Sequence, residues 1–234
     1  LTDFADLTGR EWIDAAAAGD DELRGFIDRH PRVIAKPAAG EGGAGIGIYE
    51  TAEVSDVAAW RALLVERDQT LLEEVLTQHD DLNALYPDSV NTVRMITYRD
   101  PAGELHVIAS VLRIGNGAVI DNFASGGMFT MLDDDGVALY PGVDKQSNIY
   151  QRHPATGTTI TGLQVPFYPE VVAMIAEAAK RLPTVPYVGW DIAITPEGPV
   201  VVEGNYNTGV FQLKPTATGV RTGLLPVYRE AIGF

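Results

Sequence analysis

The chain has 234 residues, 46% of them hydrophobic and 21% charged, with a formal net charge of -15; this suffices for a sizeable core in one domain of two lobes or in two small domains. It has no cysteine and four His, which excludes disulfides, thiolate nucleophiles and sulfur-ligated zinc or iron-sulfur centres and leaves a hard cation held by oxygens as the metal to expect. The acidic balance argues against a nucleic-acid or anionic-membrane partner, and no apolar run or leader pattern marks a membrane span or export, so a cytoplasmic protein without membrane insertion is expected.

Residues 10 to 30 carry Trp12, Ile13, Leu23, Phe26 and Ile27 at helical spacing, with Asp20 as N-cap, and read as one or two helices ended by Pro31. Val33 to Lys36, the glycine cluster of residues 40 to 47, and Ile46 to Tyr49 read as strand, loop, strand. Residues 55 to 67 return to helix, with Val57, Trp60, Leu63 and Leu64 on one face, and a buried strand is expected from Thr70 to Leu76. From Asn91 the pattern turns β-rich: Asn91 to Tyr98, a turn at residues 100 to 103, and Glu104 to Arg113 make a hairpin, with further short strands around residues 115 to 117 and 133 to 136. Residues 140 to 167 show no period and are rich in Pro, Gly, Thr and Gln, which suggests a long ordered loop of a kind that is often functional. A helix from Pro169 to Leu182 leads to a last hairpin, Tyr187 to Ile194 and Val200 to Glu203.

That hairpin carries the most informative chemistry. A three-residue loop, Pro196 to Gly198, pairs Thr195 with Pro199 and sets Asp191 opposite Glu203. Like charges so placed repel unless something lies between them, and a divalent cation is the economical choice. Asn205, two residues on, adds a neutral oxygen, and an Asp, a Glu and an Asn suit Mg2+.

Lys36 ends a strand just before a glycine loop whose backbone can approach phosphate oxygens. Gly40, Gly42 and Gly45 spell G-x-G-x-x-G, but the following residues read as a strand where the dinucleotide fingerprint needs a helix, so a flap over nucleotide fits better. Arg94 and Arg113 lie in otherwise apolar strands and need either an anion or a buried acid; structural ion pairs and a clamp on a transferred phosphoryl group both answer that need. Glu73 and Glu74 end an apolar strand that could face adenine, with His79 or Asp80 near the ribose. Asn122, Ser125, Gly126 and Gly127 form a polar turn able to contact substrate or phosphate.

In order, Val-Ile-Ala-Lys36-Pro with its glycine flap, Leu-Leu-Glu73-Glu74, Asn-Thr-Val-Arg94, Leu-Arg113, Asn122 with Gly-Gly127, and Gly-Trp-Asp191 followed by Val-Glu203-Gly-Asn205 resemble the ATP-grasp superfamily. The sequence is most similar to the sugar-transfer-associated, glutamate ligase-like branch, through Asn91-Thr-Val-Arg94, His153-Pro-Ala-Thr-Gly157 and Gly189-Trp-Asp191. The resemblance implies an α+β fold in which two lobes with antiparallel-rich sheets clasp ATP: residues 1–76 as the smaller lobe with N-terminal helices and the glycine-rich flap, and 77–234 as the larger, with the metal and substrate site. It implies ATP and Mg2+, or Mn2+ in its place, as cofactors, with Asp191, Glu203 and Asn205 on the metal and Lys36 on the α/β phosphates beneath Gly42, Gly43 and Gly45. Glu73, Glu74 and Leu76 would line adenine with Asp80 near the ribose, Arg94 and Arg113 would be catalytic at the γ-phosphate and acyl group, and Asn122, Ser125, Gly126 and Gly127 would bind substrate.

The activity so implied is a ligase: ATP converts a small-molecule carboxylate to an acyl phosphate, which an amine or sugar-derived acceptor attacks, with a setting in sugar-conjugate or exopolysaccharide biosynthesis. Two alternatives stay open, a phosphotransferase acting on a hydroxyl and a nucleotide-binding module without turnover. About 30 residues precede the Lys36 strand, where the family usually has an N-terminal domain, and the chain starts at Leu1; either a missing N-terminal domain or a second chain is expected to complete the substrate side.

Overall fold

In the computed structural model, which describes residues 10–38, 45–117, 126–209, 211 and 214–233, the chain divides into two compact units, Leu1–Leu76 and Thr77–Phe234. Every strand pairing in both is antiparallel among the described residues.

The first unit holds β1 (Trp12–Asp14), α1 (Asp20–Arg29), β2 (Arg32–Lys36), β3 (Gly47–Glu50), α2 (Val57–Glu66) and β4 (Leu71–Glu74), with strand order β1-β4-β2-β3. One sheet face presents Ile13, Val33, Ala35 and Leu72 to Leu23, Phe26 and Ile27 of α1 and to Val57, Trp60 and Leu64 of α2, all buried in one cluster. Each such large side chain contributes about 1.5–3 kcal/mol through removal from water. Because side chains alternate, the register Ile34↔Glu73 and Ile34↔Ile48 puts Glu73, Ile48 and Lys36 on the opposite face.

Two expectations fail here. Trp12 and Ile13 are not helical: β1 pairs with β4, Trp12 against Glu73, and that tertiary pairing overrides a helical spacing that ran across two elements. Asp20 is the first helical residue and Gly19 the cap; Asp20, Asp21 and Glu22 favour the helix start by their charge near its positive end instead. The cap on α2 is Asp56, which accepts from Ala59 N at 3.0 Å.

The second unit is built on a seven-stranded sheet ordered β11-β10-β5-β6-β7-β8-β9. Its strands are β5 (Thr92–Arg99), β6 (Leu105–Ile114), β7 (Met128–Met131), β8 (Gly142–Asp144), β9 (Ile149–Tyr150), β10 (Tyr187–Thr195) and β11 (Gly198–Asn205), joined by α3 (Asp80–Leu85) and α4 (Tyr168–Lys180) and followed by α5 (Pro215–Thr218) and α6 (Leu225–Ile232). One face carries Trp190, fully buried, whose indole N–H donates to Thr97 Oγ1 at 2.9 Å. The other carries Arg94 and Asp191 as cross-strand neighbours, then Ile96, Val111, Phe129 and Met131, on which Tyr228 and Ala231 of α6 pack.

Residues 140–167 are not one loop: β8 and β9 form a small hairpin inside them. Its turn is held by side chains, which leave no periodicity to read. Buried Asp144 accepts from Asn148 N at 2.9 Å, Asn148 Nδ2 at 2.8 Å and the Tyr150 hydroxyl at 3.0 Å. The last hairpin also differs in detail. Its loop has two residues, with Thr195 paired to Gly198, and a bulge that inserts Val202 of β11 opposite the Asp191–Ile192 step restores the pairing of Asp191 with Glu203.

Candidate nucleotide and metal site

In the first unit, Lys36 closes β2 on the face away from the core, and its Nζ lies 2.6 Å from Glu73 Oε1. Arg10 pairs with the other Glu73 oxygen. Glu73 is 4% exposed, so its charge is tolerable only because two cations meet it. The sum is one net positive charge beside Ile48, which is 51% exposed on the same face. Gly45 accepts at its carbonyl from Gln69 Nε2 at 2.7 Å, which fixes the end of the glycine segment; Gly42 and Gly43 lie outside the described residues. Glu74 does not present a carboxylate to that face: its Oε1 accepts from Glu11 N at 3.1 Å. Leu76 is half-buried at the end of this unit.

In the second unit, Asp191 (4% exposed) is gripped by Arg94, Nε on Oδ1 and Nη2 on Oδ2 at 2.6 Å, and by Arg113 through Nη1 on Oδ2 at 2.9 Å. Arg94 Nη1 donates to Thr208 Oγ1 at 3.2 Å. Burial alone would push the Asp191 carboxyl up, but the hydrogen bonds from Arg94 and the charges of Arg113 and Arg94 hold it below the ordinary aspartate value. The expectation that a cation is needed to let Asp191 face Glu203 is therefore corrected: the arginines already supply the opposing charge.

Glu203 is exposed on β11, the edge strand, and its Oε1 accepts from Asn205 Nδ2 at 3.1 Å. That amide nitrogen also reaches Gly189 O at 3.4 Å, so the carbonyl oxygen is the atom Asn205 would offer a cation. Two carboxylates and an amide oxygen form the all-oxygen donor set that a hard divalent cation takes, and the residues fit Mg2+. Among the described residues, Asp100, Glu104 and His106 also come close enough to share an ion, but Asp100 accepts from Glu104 N at 2.8 Å and sits 3.2 Å from His106 Nε2, bonds that close the β5–β6 turn.

Asp80 is exposed at the start of α3, and the adjacent His79 caps that helix through Nδ1, 3.2 Å from Asp81 N. Gly126 accepts from Asn116 Nδ2 at 3.3 Å and Gly127 is buried, whereas Asn122 and Ser125 lie outside the described residues. Arg10 and Thr208 were not foreseen. Thr208 had a signal, three residues past Asn205 and with room made by Gly189, where a Cβ would lie 2.3 Å from its Oγ1.

Two solved structures share the fold. An ADP complex of N5-carboxyaminoimidazole ribonucleotide synthetase superposes with a TM-score of 0.51 at 13% identity, covering 99% of this chain and 49% of that one. The N5-carboxyaminoimidazole synthetase of Staphylococcus aureus, also with ADP, gives 0.52 at 9% identity, covering 88% and 43%. This chain thus spans about half the length, or less, of either structure. No curated protein sequence matches it. The model of the sugar-transfer associated ATP-grasp family matches residues 20–224, and the chain belongs to that family.

Proposed function

We propose that this protein is an ATP- and Mg2+-dependent ligase that activates a small-molecule carboxylate as an acyl phosphate and passes the acyl group to an amine or a sugar-derived nucleophile. The observation that carries the reading is the Asp191 carboxylate, held by both arginines on one sheet face with Glu203 and Asn205 beside it on the same hairpin. Family membership supports the ATP-dependent part.

The division of labour follows from charge. Lys36, aimed by the buried Glu73, meets the nucleotide phosphates on the first unit, with exposed Ile48 offering apolar surface on the same face. On the second unit, the charges of Arg94 and Arg113 balance those of Asp191 and Glu203. A bound Mg2+ would add positive charge at Asp191, Glu203 and Asn205, which suits phosphate oxygens. A carboxylate oxygen then attacks the γ-phosphorus and ADP leaves. The two guanidinium groups stabilise the transferring phosphoryl and, later, the acyl carbon's developing oxyanion. The nucleophile's attack on that carbon releases inorganic phosphate. The polar turn through Gly126 and Gly127 is assigned to the substrate, and Asp80 to the nucleotide. No helix among the described residues is long and apolar enough to cross a membrane.

Hydroxylamine trapping tests the acyl phosphate directly. With ATP, Mg2+ and a panel of amino acids and small carboxylates, a ligase yields a hydroxamate for the carboxylate it accepts, and a phosphotransferase yields a stable phosphoester with a hydroxyl substrate and no hydroxamate.

A further inference from the structure

We propose that His153, acting with Asn91, is a positioning residue that fixes the corner of the chain immediately after Arg113 and thereby the aim of that arginine. The proposal rests on the role assigned to Arg113 above. His153 is 1% exposed, and its Nε2 lies 2.8 Å from the carbonyl oxygen of Gly115. A carbonyl can only accept, so Nε2 carries the proton; Nδ1 accepts from Ala155 N at 3.3 Å. Both ring nitrogens are thus engaged as a neutral imidazole with a single tautomer, its ring packed 4.8 Å from that of Tyr86.

The other side of Gly115 is equally constrained. Its N–H donates to Asn91 Oδ1 at 3.0 Å. Asn91 is fully buried, and its Nδ2 reaches Gln78 Oε1 at 2.9 Å, Tyr86 O at 2.9 Å and Leu82 O at 3.0 Å. Two residues on, Gly117 N donates to the Tyr86 hydroxyl at 2.9 Å. Nothing larger than glycine fits at 115, where a Cβ would lie 2.0 Å from Ser89 Oγ and 2.6 Å from the Tyr86 ring.

The segment that delivers His153 is itself braced. Gly157 N donates to His153 O, His153 N to Thr158 O, and the Thr156 and Thr158 hydroxyls to Leu85 O and Ala84 O at 2.8 and 2.7 Å. Asn91 stands three residues before Arg94, and Gly115 two after Arg113, on adjacent strands. One buried polar network therefore pins the same end of both arginine-bearing strands. Directional hydrogen bonds among buried groups define a geometry more narrowly than apolar packing does.

The test uses the whole chain with His153→Leu, His153→Gln and Tyr86→Phe, reading amide hydrogen exchange and the binding of inorganic phosphate to the MgADP-loaded protein. The account expects His153→Leu to speed exchange at residues 112–117 and to weaken phosphate binding roughly tenfold, with MgADP affinity changed less than twofold and His153→Gln, which keeps a donor near the Nε2 position, recovering most of the loss. Should His153→Leu fail to fold, Tyr86→Phe must still speed exchange at Gly117 without loosening β10. Uniform acceleration across the chain, equal losses of phosphate and MgADP, or no change at 112–117 would each overturn the proposal, as would a wild type that binds MgADP but no phosphate. A wild type that binds no MgADP would sink the proposed function, while the exchange data would still decide whether His153 sets this corner.

Discussion

Arg94 meets Asp191 edge to edge, one guanidinium nitrogen on each carboxylate oxygen, with Nη2 2.6 Å from Oδ2, and Arg113 shares that second oxygen at 2.9 Å. Removing the carboxylate leaves two largely buried guanidinium groups facing each other. Asp191→Ala is expected to lower unfolding free energy by about 3–5 kcal/mol, measured by urea denaturation. Arg94→Lys, which cannot form the two-pronged contact, should cost less stability but disturb the same site. A neutral effect of Asp191→Ala on stability would mean that the carboxylate does not hold the arginines.

Lys36→Met separates binding from folding. Glu73 keeps Arg10 as a partner, so the fold should survive with a modest loss, while MgATP affinity measured by calorimetry should fall roughly tenfold to a hundredfold, the worth of one charge-assisted bond. Unchanged affinity would remove Lys36 from the phosphate site.

Gly189→Ala probes how closely Thr208 approaches the hairpin. The new Cβ would lie 2.3 Å from Thr208 Oγ1, so Thr208 must move and its contact with Arg94 must break. A loss of about 1–3 kcal/mol is expected in thermal or urea unfolding, with Thr208→Ser tolerated far better.

The β8–β9 turn offers a pH test away from the site. Burial pushes the Asp144 carboxyl up, but the bonds it accepts from Asn148 and Tyr150 more than offset this and leave it below the ordinary aspartate value. A carboxyl whose folded pKa is depressed stabilises fully above the unfolded value and loses that contribution as pH falls through the folded one. Wild-type stability should therefore drop as pH is lowered from about 4, and Asp144→Asn should be less stable at neutral pH by about 1–2 kcal/mol with a flatter acid limb. Equal slopes for the two proteins would contradict the assignment.

The legible parts of the fold were those with strong periods or turn residues: α2 with Val57, Trp60 and Leu64, the β5–β6 hairpin, and β10 with its apolar run. Trp12 and Ile13 misled because the helical spacing they continue belongs to α1, and only pairing with β4 reveals a strand. The sequence places Asp191 opposite Glu203 even through a loop one residue too long, because the shorter loop and the bulge each shift the register by one residue in opposite senses. What the sequence could not display was the partner of each charge. Arg94 and Arg113 were legible as buried cations in need of an anion, but that Asp191 answers both depends on strand order, with β10 beside β5. Arg10 carries no local signal of its reach to Glu73, 63 residues away.

ATP turnover tests the central claim most directly. ADP and phosphate release would be followed with Mg2+ across a panel of amino acids, amino sugars and small carboxylates, for the wild type beside Glu203→Gln, which alters an exposed side chain and should leave the fold intact. The account predicts release stimulated by at least one carboxylate and acceptor pair and abolished in Glu203→Gln. Turnover indifferent to the loss of Glu203, or a folded wild type that does not bind MgATP, would contradict it.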